Sequence, residues 1–350
     1  MQRVLGLDIG GANLKMAHTG GAARTVPFEL WKQPKKLPTA LRALVSSAPA
    51  FDAIAVTMTG ELCDCFETKR EGVQAILDAV RKVSAGFQAR VWSTAGRFLD
   101  LATARDAPLE VASANWLALA TFSGRYIPVG PAMLVDIGST TTDLIPLLDG
   151  TPKPRACTDA DRLETGELAY KGARRTPVCA IFAGGRRVVA EFFATIHDIF
   201  LALRLVPEDP QDCRTADGRP ATRSYAHARL ARMLGGDSET TPLADVEEFA
   251  LLVEVNYCLQ IALAMFEAGS VLPAPPRRFV LAGSGEFLGQ RAIRRFARMM
   301  DGQTFPPPHW PAQTLRPRLI SLSRRLGAEL STAACAYAVA VLEAEHADDQ

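Results

Sequence analysis

Two stretches of this 350-residue chain carry side chains and spacings suited to gripping phosphate: Asp8-Ile9-Gly10-Gly11-Ala12-Asn13 and Asp136-Ile137-Gly138-Ser139-Thr140-Thr141-Thr142-Asp143. In each, an apolar run ends in Asp, passes through a glycine-containing polar turn and resumes as a second apolar run. That is the pattern of a tight β-hairpin with a polar tip. Glycines let backbone N–H groups converge on an anion, and the side chains of Asn13, Ser139, Thr140, Thr141 and Thr142 add polar contacts. A carboxylate at the strand end suits a magnesium ion shared with phosphate oxygens, which makes Asp8 and Asp136 the candidate metal ligands. Either stretch alone is also ordinary turn chemistry. Their recurrence points to a duplicated scaffold.

A third stretch, Phe279-Val280-Leu281-Ala282 followed by Gly283-Ser284-Gly285, reads as a buried strand that brings backbone close to a ligand ahead of a helix. It is not a GxGxxG fingerprint and does not indicate a dinucleotide.

Holding these pieces in place calls for an α/β scaffold. The order hairpin, return strand (residues 22–30), amphipathic helix (35–47) and buried strand (51–58) is an α/β pattern. Further helices are expected at 68–85, 96–104, 108–122, 191–203, 221–234, 243–268 and 328–344, and a surface loop at 211–219. The chain is longer than one core usually supports. Two lobes are therefore expected: residues 1–129 with the C-terminal helix 327–345, and residues 130–326.

A formal net charge of +1 gives no general attraction to nucleic acid or to a membrane surface. With 48% hydrophobic and 22% charged residues the composition is that of a globular protein. No uninterrupted apolar run of about 18 residues occurs, and Asp8 interrupts the only position for a signal sequence, so a cytoplasmic location is expected. Seven scattered cysteines, with Cys63-x-Cys65 the only close pair, match neither a disulfide framework nor the usual zinc spacing.

The two Asp-led hairpins and the Gly-Ser-Gly strand, in this order, resemble the sugar kinase, heat-shock ATPase and actin superfamily. The resemblance implies two ribonuclease-H-like lobes closing over a phosphate-bearing ligand. Thr59-Gly60-Glu61 through Gly72, Ser113-Ala114-Asn115-Trp116, the second hairpin, Thr165-Gly166-Glu167-Leu168, Arg174-Arg175-Thr176-Pro177 and Thr215 to Arg219 resemble a narrower family. These are the tetrahydromethanopterin-linked one-carbon pathway proteins, which are related to hydantoinase/oxoprolinase sequences and include an enzyme of methylofuran biosynthesis. What this resemblance implies is a transferase that joins an aminomethylfuran-methyl diphosphate to the phenol oxygen of a tyramine- or tyrosine-derived acceptor, releasing diphosphate.

On that chemistry Asp8, Glu61, Lys69, Asp136 and Glu167 are the candidate catalytic residues, with Mg2+ as the expected cofactor. Gly10, Gly11, Asn13, Gly138, Ser139, Thr140, Thr141, Thr142, Gly283, Ser284 and Gly285 would contact phosphate or substrate, and Arg174 and Arg175 would add positive charge. A phenol of pKa about 10 needs a base, for which Glu61, Glu167 and Asp143 are the candidates in that order. The rival expectation is an ATP-dependent kinase or ATPase of the same superfamily. An actin-like nucleotide-binding scaffold is a third.

Overall fold

The structure is a computed structural model that describes residues 2–181, 187–301, 307, 309–310 and 314–348. Strand β1 (Val4–Ile9), buried along its whole length, lies in the middle of the first sheet. Alongside it run β2 (Asn13–His18), β3 (Ala23–Pro27), β4 (Ala53–Met58), β5 (Gln88–Trp92) and β6 (Phe98–Asp100), in the order β3-β2-β1-β4-β5-β6. The first three strands form an antiparallel meander, and β4 and β5 continue parallel to β1.

The second sheet repeats the plan. Its strands are β7 (Pro131–Ile137), β8 (Thr142–Leu148), β9 (Thr151–Pro152), β10 (Leu168–Ala169), β11 (Arg278–Ala282) and β12 (Arg318–Ser321). The order β10-β8-β7-β11-β12 again pairs a hairpin antiparallel and then adds two parallel strands. Two copies of one strand order give the two-lobed, ribonuclease-H-like α/β fold expected from the motifs.

The duplication extends to single hydrogen bonds. Gly10 N–H donates to Asn13 O at 3.1 Å, and Gly138 N–H donates to Thr141 O at 2.9 Å, closing equivalent turns. After β4, Gly60 N–H donates to Ile9 O at 3.0 Å; after β11, Gly285 N–H donates to Ile137 O at 2.9 Å. Glu61 and Glu286 follow these glycines.

Helices cover the outer face of each sheet. On the first, the Lys69–Val83 helix buries Val73, Ile76, Leu77 and Val80, its start fixed by Thr68, whose hydroxyl accepts from Glu71 N–H at 3.1 Å. On the second lie the Leu243–Gly269 and Glu286–Asp301 helices. The 27-residue Leu243–Gly269 helix is long and apolar enough to cross a membrane by composition, but Phe249, Val253, Tyr257 and Ile261 are buried in the second lobe's core.

Between the sheets lie the Asn115–Gly124 and Ala334–Asp348 helices, in one apolar cluster that includes Val4 and Ala55 of the first sheet and Leu134, Ile145 and Val280 of the second. The alanine-rich C-terminal helix needs a flat seat, and Gly6 supplies it: a Cβ there would lie 1.8 Å from Ala336 O.

Four expectations need correction. Residues 96–104 are not one helix: Phe98–Asp100 pairs with β5, Phe98 stands edge-on to Trp92 at 4.9 Å, and a helix starts at Leu101 with Asp100 as its cap. Residues 108–122 break into Pro108–Val111 and Asn115–Gly124, with Ser113 at φ +48° between them. The helix expected from 191 starts at Ile196, where Thr195 and Asp198 form a capping box. The C-terminal helix is split at Ala333 into Ala328–Thr332 and Ala334–Asp348.

Candidate functional site

The hairpin tips face each other across an interlobe cleft of about 1090 Å³. From the first lobe Asp8, Gly10, Gly11 and Asn13 line it; from the second come Asp136, Gly138, Ser139, Thr140 and Thr141. Gly283, Ser284 and Arg175 also reach the cleft.

Strand register decides what faces each aspartate. Opposite Asp8 on β2 stands Lys15, with Nζ 3.4 Å from Asp8 Oδ2. Opposite Asp136 on β8 stands Asp143. Burial acts to lower the Lys15 pKa, yet its neighbours, Asp8 foremost, hold it above its ordinary value. The Asp136 carboxyl is pushed up to about 7, chiefly by burial and then by Asp143, with Lys15 opposing. Burial also raises Asp143, against the pull of Arg162, whose Nη2 donates to Asp143 Oδ1 at 2.7 Å. The Arg162 guanidinium lies 4.0 Å from the centre of the Trp116 ring and is buried.

These features suit a divalent cation of the magnesium kind, which needs one or two carboxylates and takes its remaining oxygens from water and phosphate. Asp8 is buried and its Oδ1 has no hydrogen-bond partner. Next to Asp136 the chain is kept bare: Gly283 sits at φ +80°, and a Cβ there would fall 2.5 Å from Asp136 Oδ1. Among the described residues no group of three His, Cys, Asp or Glu side chains converges as a ligand set, Cys63 and Cys65 included. All seven cysteines are free, and burial pushes the Cys63 thiol up to about 11.

Six sequence candidates stand off the cleft surface. Glu167 is a structural acceptor: Oε1 takes Arg155 N–H at 2.6 Å, and Oε2 takes Ala156 N–H at 3.2 Å and the Thr165 hydroxyl at 3.1 Å. Both oxygens are engaged, and the residue is fully buried away from the cleft. The Thr142 hydroxyl donates to Lys171 O and is buried. Gly285 packs under Ile137. Arg174 turns away to Asp212, with Nη2 2.5 Å from Oδ2. Lys69 binds Asp159 of the opposite lobe at 3.2 Å. Glu61 is buried behind Ser113.

The 211–219 segment is more than a surface loop. Asp212 holds both Arg174 and Arg214, and Arg214 lines the cleft. Asp217 is bound by Arg229 at 2.9 Å, and Arg229 is anchored in turn on buried Asp198 at 2.6 Å. Against this charged network His197 is pushed down to about 4, by burial first and then by Arg174. A histidine whose folded pKa lies below its unfolded value contributes stability above about pH 6.5 that is lost as pH falls toward about 4. His197→Gln should therefore flatten the loss of Tm between those pH values, read by thermal melts of both proteins across the range.

Sequence reasoning missed Lys15, Arg162, Arg214 and Ser113. Lys15 was legible from hairpin register, because a Gly10–Asn13 turn places it opposite Asp8. The Thr158-x-x-Asp161 cap marks the short Asp159–Glu164 helix that carries Arg162, but nothing local points that arginine at Trp116.

Residues 172–175 buttress the second hairpin. Ala173 N–H donates to Gly138 O at 2.8 Å, and Arg174 and Arg175 N–H donate to Ser139 O at 3.1 and 2.9 Å. Gly172 passes so close that a Cβ would lie 2.3 Å from Thr140 N. Gly172→Ala is expected to push the hairpin out of place, at a cost of about 2 kcal/mol or more in urea unfolding together with weaker binding of inorganic diphosphate.

Known proteins give this geometry a context. The sequence model of the hydantoinase/oxoprolinase family matches residues 52–297. The chain is 36% identical over 256 residues, 71% of this chain and 76% of the relative, to the (4-{4-[2-(gamma-L-glutamylamino)ethyl]phenoxymethyl}furan-2-yl)methanamine synthase of Methanocaldococcus jannaschii. To the synthase of the same name from Methanococcus vannielii it is 28% identical over 224 residues, 60% of this chain and 89% of the relative. A ROK family glucokinase from Streptomyces griseus, solved with glucose and AMPPNP, matches in fold at TM-score 0.51 and 14% identity, over 97% of this chain and 98% of that one. On the family match, which spans well over half of its residues, the chain belongs to the hydantoinase/oxoprolinase family.

Proposed function

We propose that the protein is a cytoplasmic transferase of methylofuran-type cofactor biosynthesis. It joins the CH2 carbon of an aminomethylfuran-methyl diphosphate to the phenol oxygen of a tyramine- or tyrosine-derived acceptor and releases diphosphate. The observation that carries the reading is the 36% identity to a synthase whose name describes an aryloxymethyl furan, the ether such a step would form. The cleft is chemically consistent with it.

In this reading the C–O bond to diphosphate breaks as the C–O bond to the phenol forms, and the main demand on the protein is to stabilise the charge that leaves. Lys15, Arg175 and Arg214 bring positive charge to the cleft, and the turns at Gly10–Asn13 and Gly138–Thr141 bring backbone to it. A magnesium ion held by Asp8 and Asp136 would supply further charge neutralisation for the diphosphate. Trp31 and Tyr170 on the walls offer faces for the furan and phenol rings.

A second reading, phosphoryl transfer from ATP, is favoured by the position of Gly283 and Ser284, which line the cleft where the superfamily resemblance would lay a nucleoside. One assay separates the two. Purified protein with Mg2+, the furan diphosphate and γ-glutamyltyramine should give the ether and an equal amount of diphosphate, followed by mass spectrometry and a diphosphate assay. Turnover of ATP at an enzymatic rate with no ether would overturn the transferase reading.

A further inference from the structure

We propose that Ser113 takes the proton from the acceptor phenol and passes its own to Glu61, so that a buried Glu–Ser pair is the general base of the reaction. This deepens the ether-forming reading above and rests on it. Ser113 occupies the break between the Pro108–Val111 and Asn115–Gly124 helices at φ +48°, a left-handed conformation that costs a non-glycine residue about 1–2 kcal/mol. Backbone strain of this kind clusters at functional sites. Here it places Ser113 on the cleft wall with its hydroxyl donating to Glu61 Oε1 at 2.5 Å.

Glu61 itself does not reach the cleft. It is fully buried, and its Oε2 has no hydrogen-bond partner. A carboxylate buried with one oxygen unpartnered is expensive for a group with only a packing role. As a proton store it makes sense, because burial raises its pKa and so strengthens it as a base. Other titratable or charged groups act on it from both lobes: Lys69 and Cys63 from its own, Asp159 and Tyr170 from the other. Lys69 and Asp159 pair with each other at 3.2 Å, so their fields largely cancel at Glu61.

The step balances. The phenol O–H breaks and its proton goes to Ser113 Oγ, while the proton of Ser113 moves to Glu61 Oε1. The phenolate electron pair forms the bond to CH2, and the pair of the broken C–O bond leaves on diphosphate. The same two atoms in reverse return the proton to water after product leaves.

Ser113→Gly and Glu61→Gln test the relay with γ-glutamyltyramine and with ring-fluorinated acceptors of lower phenol pKa. Glycine suits φ +48°, so Ser113→Gly should still fold, with a lower melting temperature because buried Glu61 loses its hydroxyl donor. Its kcat should fall about 100-fold with the ordinary phenol, with KM for the furan diphosphate unchanged, and the defect should shrink as the phenol becomes more acidic. Glu61→Gln should lose the ascending limb of the kcat–pH profile. A Ser113→Gly kcat within about threefold of wild type, or one equal defect for every phenol, overturns the relay while leaving the reaction in place. Wild-type protein that releases no diphosphate overturns the reaction, and the relay with it.

Discussion

In the proposed transferase reaction, Asp136→Asn is expected to lower diphosphate release on the order of 1000-fold while raising the melting temperature. The two effects share one origin. Asp136 is buried opposite Asp143 on the paired strands β7 and β8, and two carboxylates at that spacing repel each other in a medium that screens them poorly. Asparagine keeps the shape and removes the repulsion, so the fold gains. It also removes a charge that would face the diphosphate through magnesium, so catalysis loses, and the Mg2+ concentration for half-maximal rate should rise. Initial rates across an Mg2+ titration, beside thermal melts in metal-free buffer, read both effects. A variant retaining more than about a tenth of wild-type rate would place the phosphate grip elsewhere.

Arg229→Ala carries the largest expected cost in stability, about 3–5 kcal/mol by urea unfolding. Arg229 is inaccessible to solvent and its guanidinium makes two bonds to Asp198 Oδ1, at 2.8 Å from Nε and 2.6 Å from Nη2. Asp198 also caps its own helix by accepting Thr195 N–H at 2.9 Å. Removing the arginine leaves that carboxylate buried with no cation. It also removes the shortest ion pair of Asp217, leaving Arg219 at 3.8 Å and Arg232 at 4.0 Å, and so loosens the 211–219 segment that carries Arg214 to the cleft. Faster amide exchange across residues 211–219 should accompany the loss of stability. Arg229→Lys should recover only a minor part, because an ammonium cannot bridge Asp198 and Asp217 as a planar guanidinium does.

How much of this was legible in the chain depends on the range of the interaction. The two hairpins and the strand before Gly283 were readable because alternation and turn chemistry are local, and so was the repeated fold they imply. Glu61 and Glu167 look alike in sequence, each following Thr-Gly, yet they part in three dimensions. One lies behind a serine on the cleft wall; the other satisfies the backbone of residues 155 and 156. Only the path of a distant loop decides between them. Arg174 and Arg175 are adjacent, but one faces Asp212 and the other the cleft. The break at Ser113 was hidden for another reason: no Gly or Pro between Leu109 and Phe122 marks it, and it shows only where Ser113 stands at φ +48° against Glu61.

The two helices between the sheets tie the fate of the lobes together. Their apolar side chains are shared, so separating the sheets would bare Val4 and Ala55 on one side and Leu134, Ile145 and Val280 on the other. Neither half can keep its inner face dry alone. The two lobes are therefore expected to unfold together, and the cleft, which Trp116 and Cys335 also line, abuts the apolar seam. Motions that change the aperture between the hairpins have to pivot on that seam rather than open it.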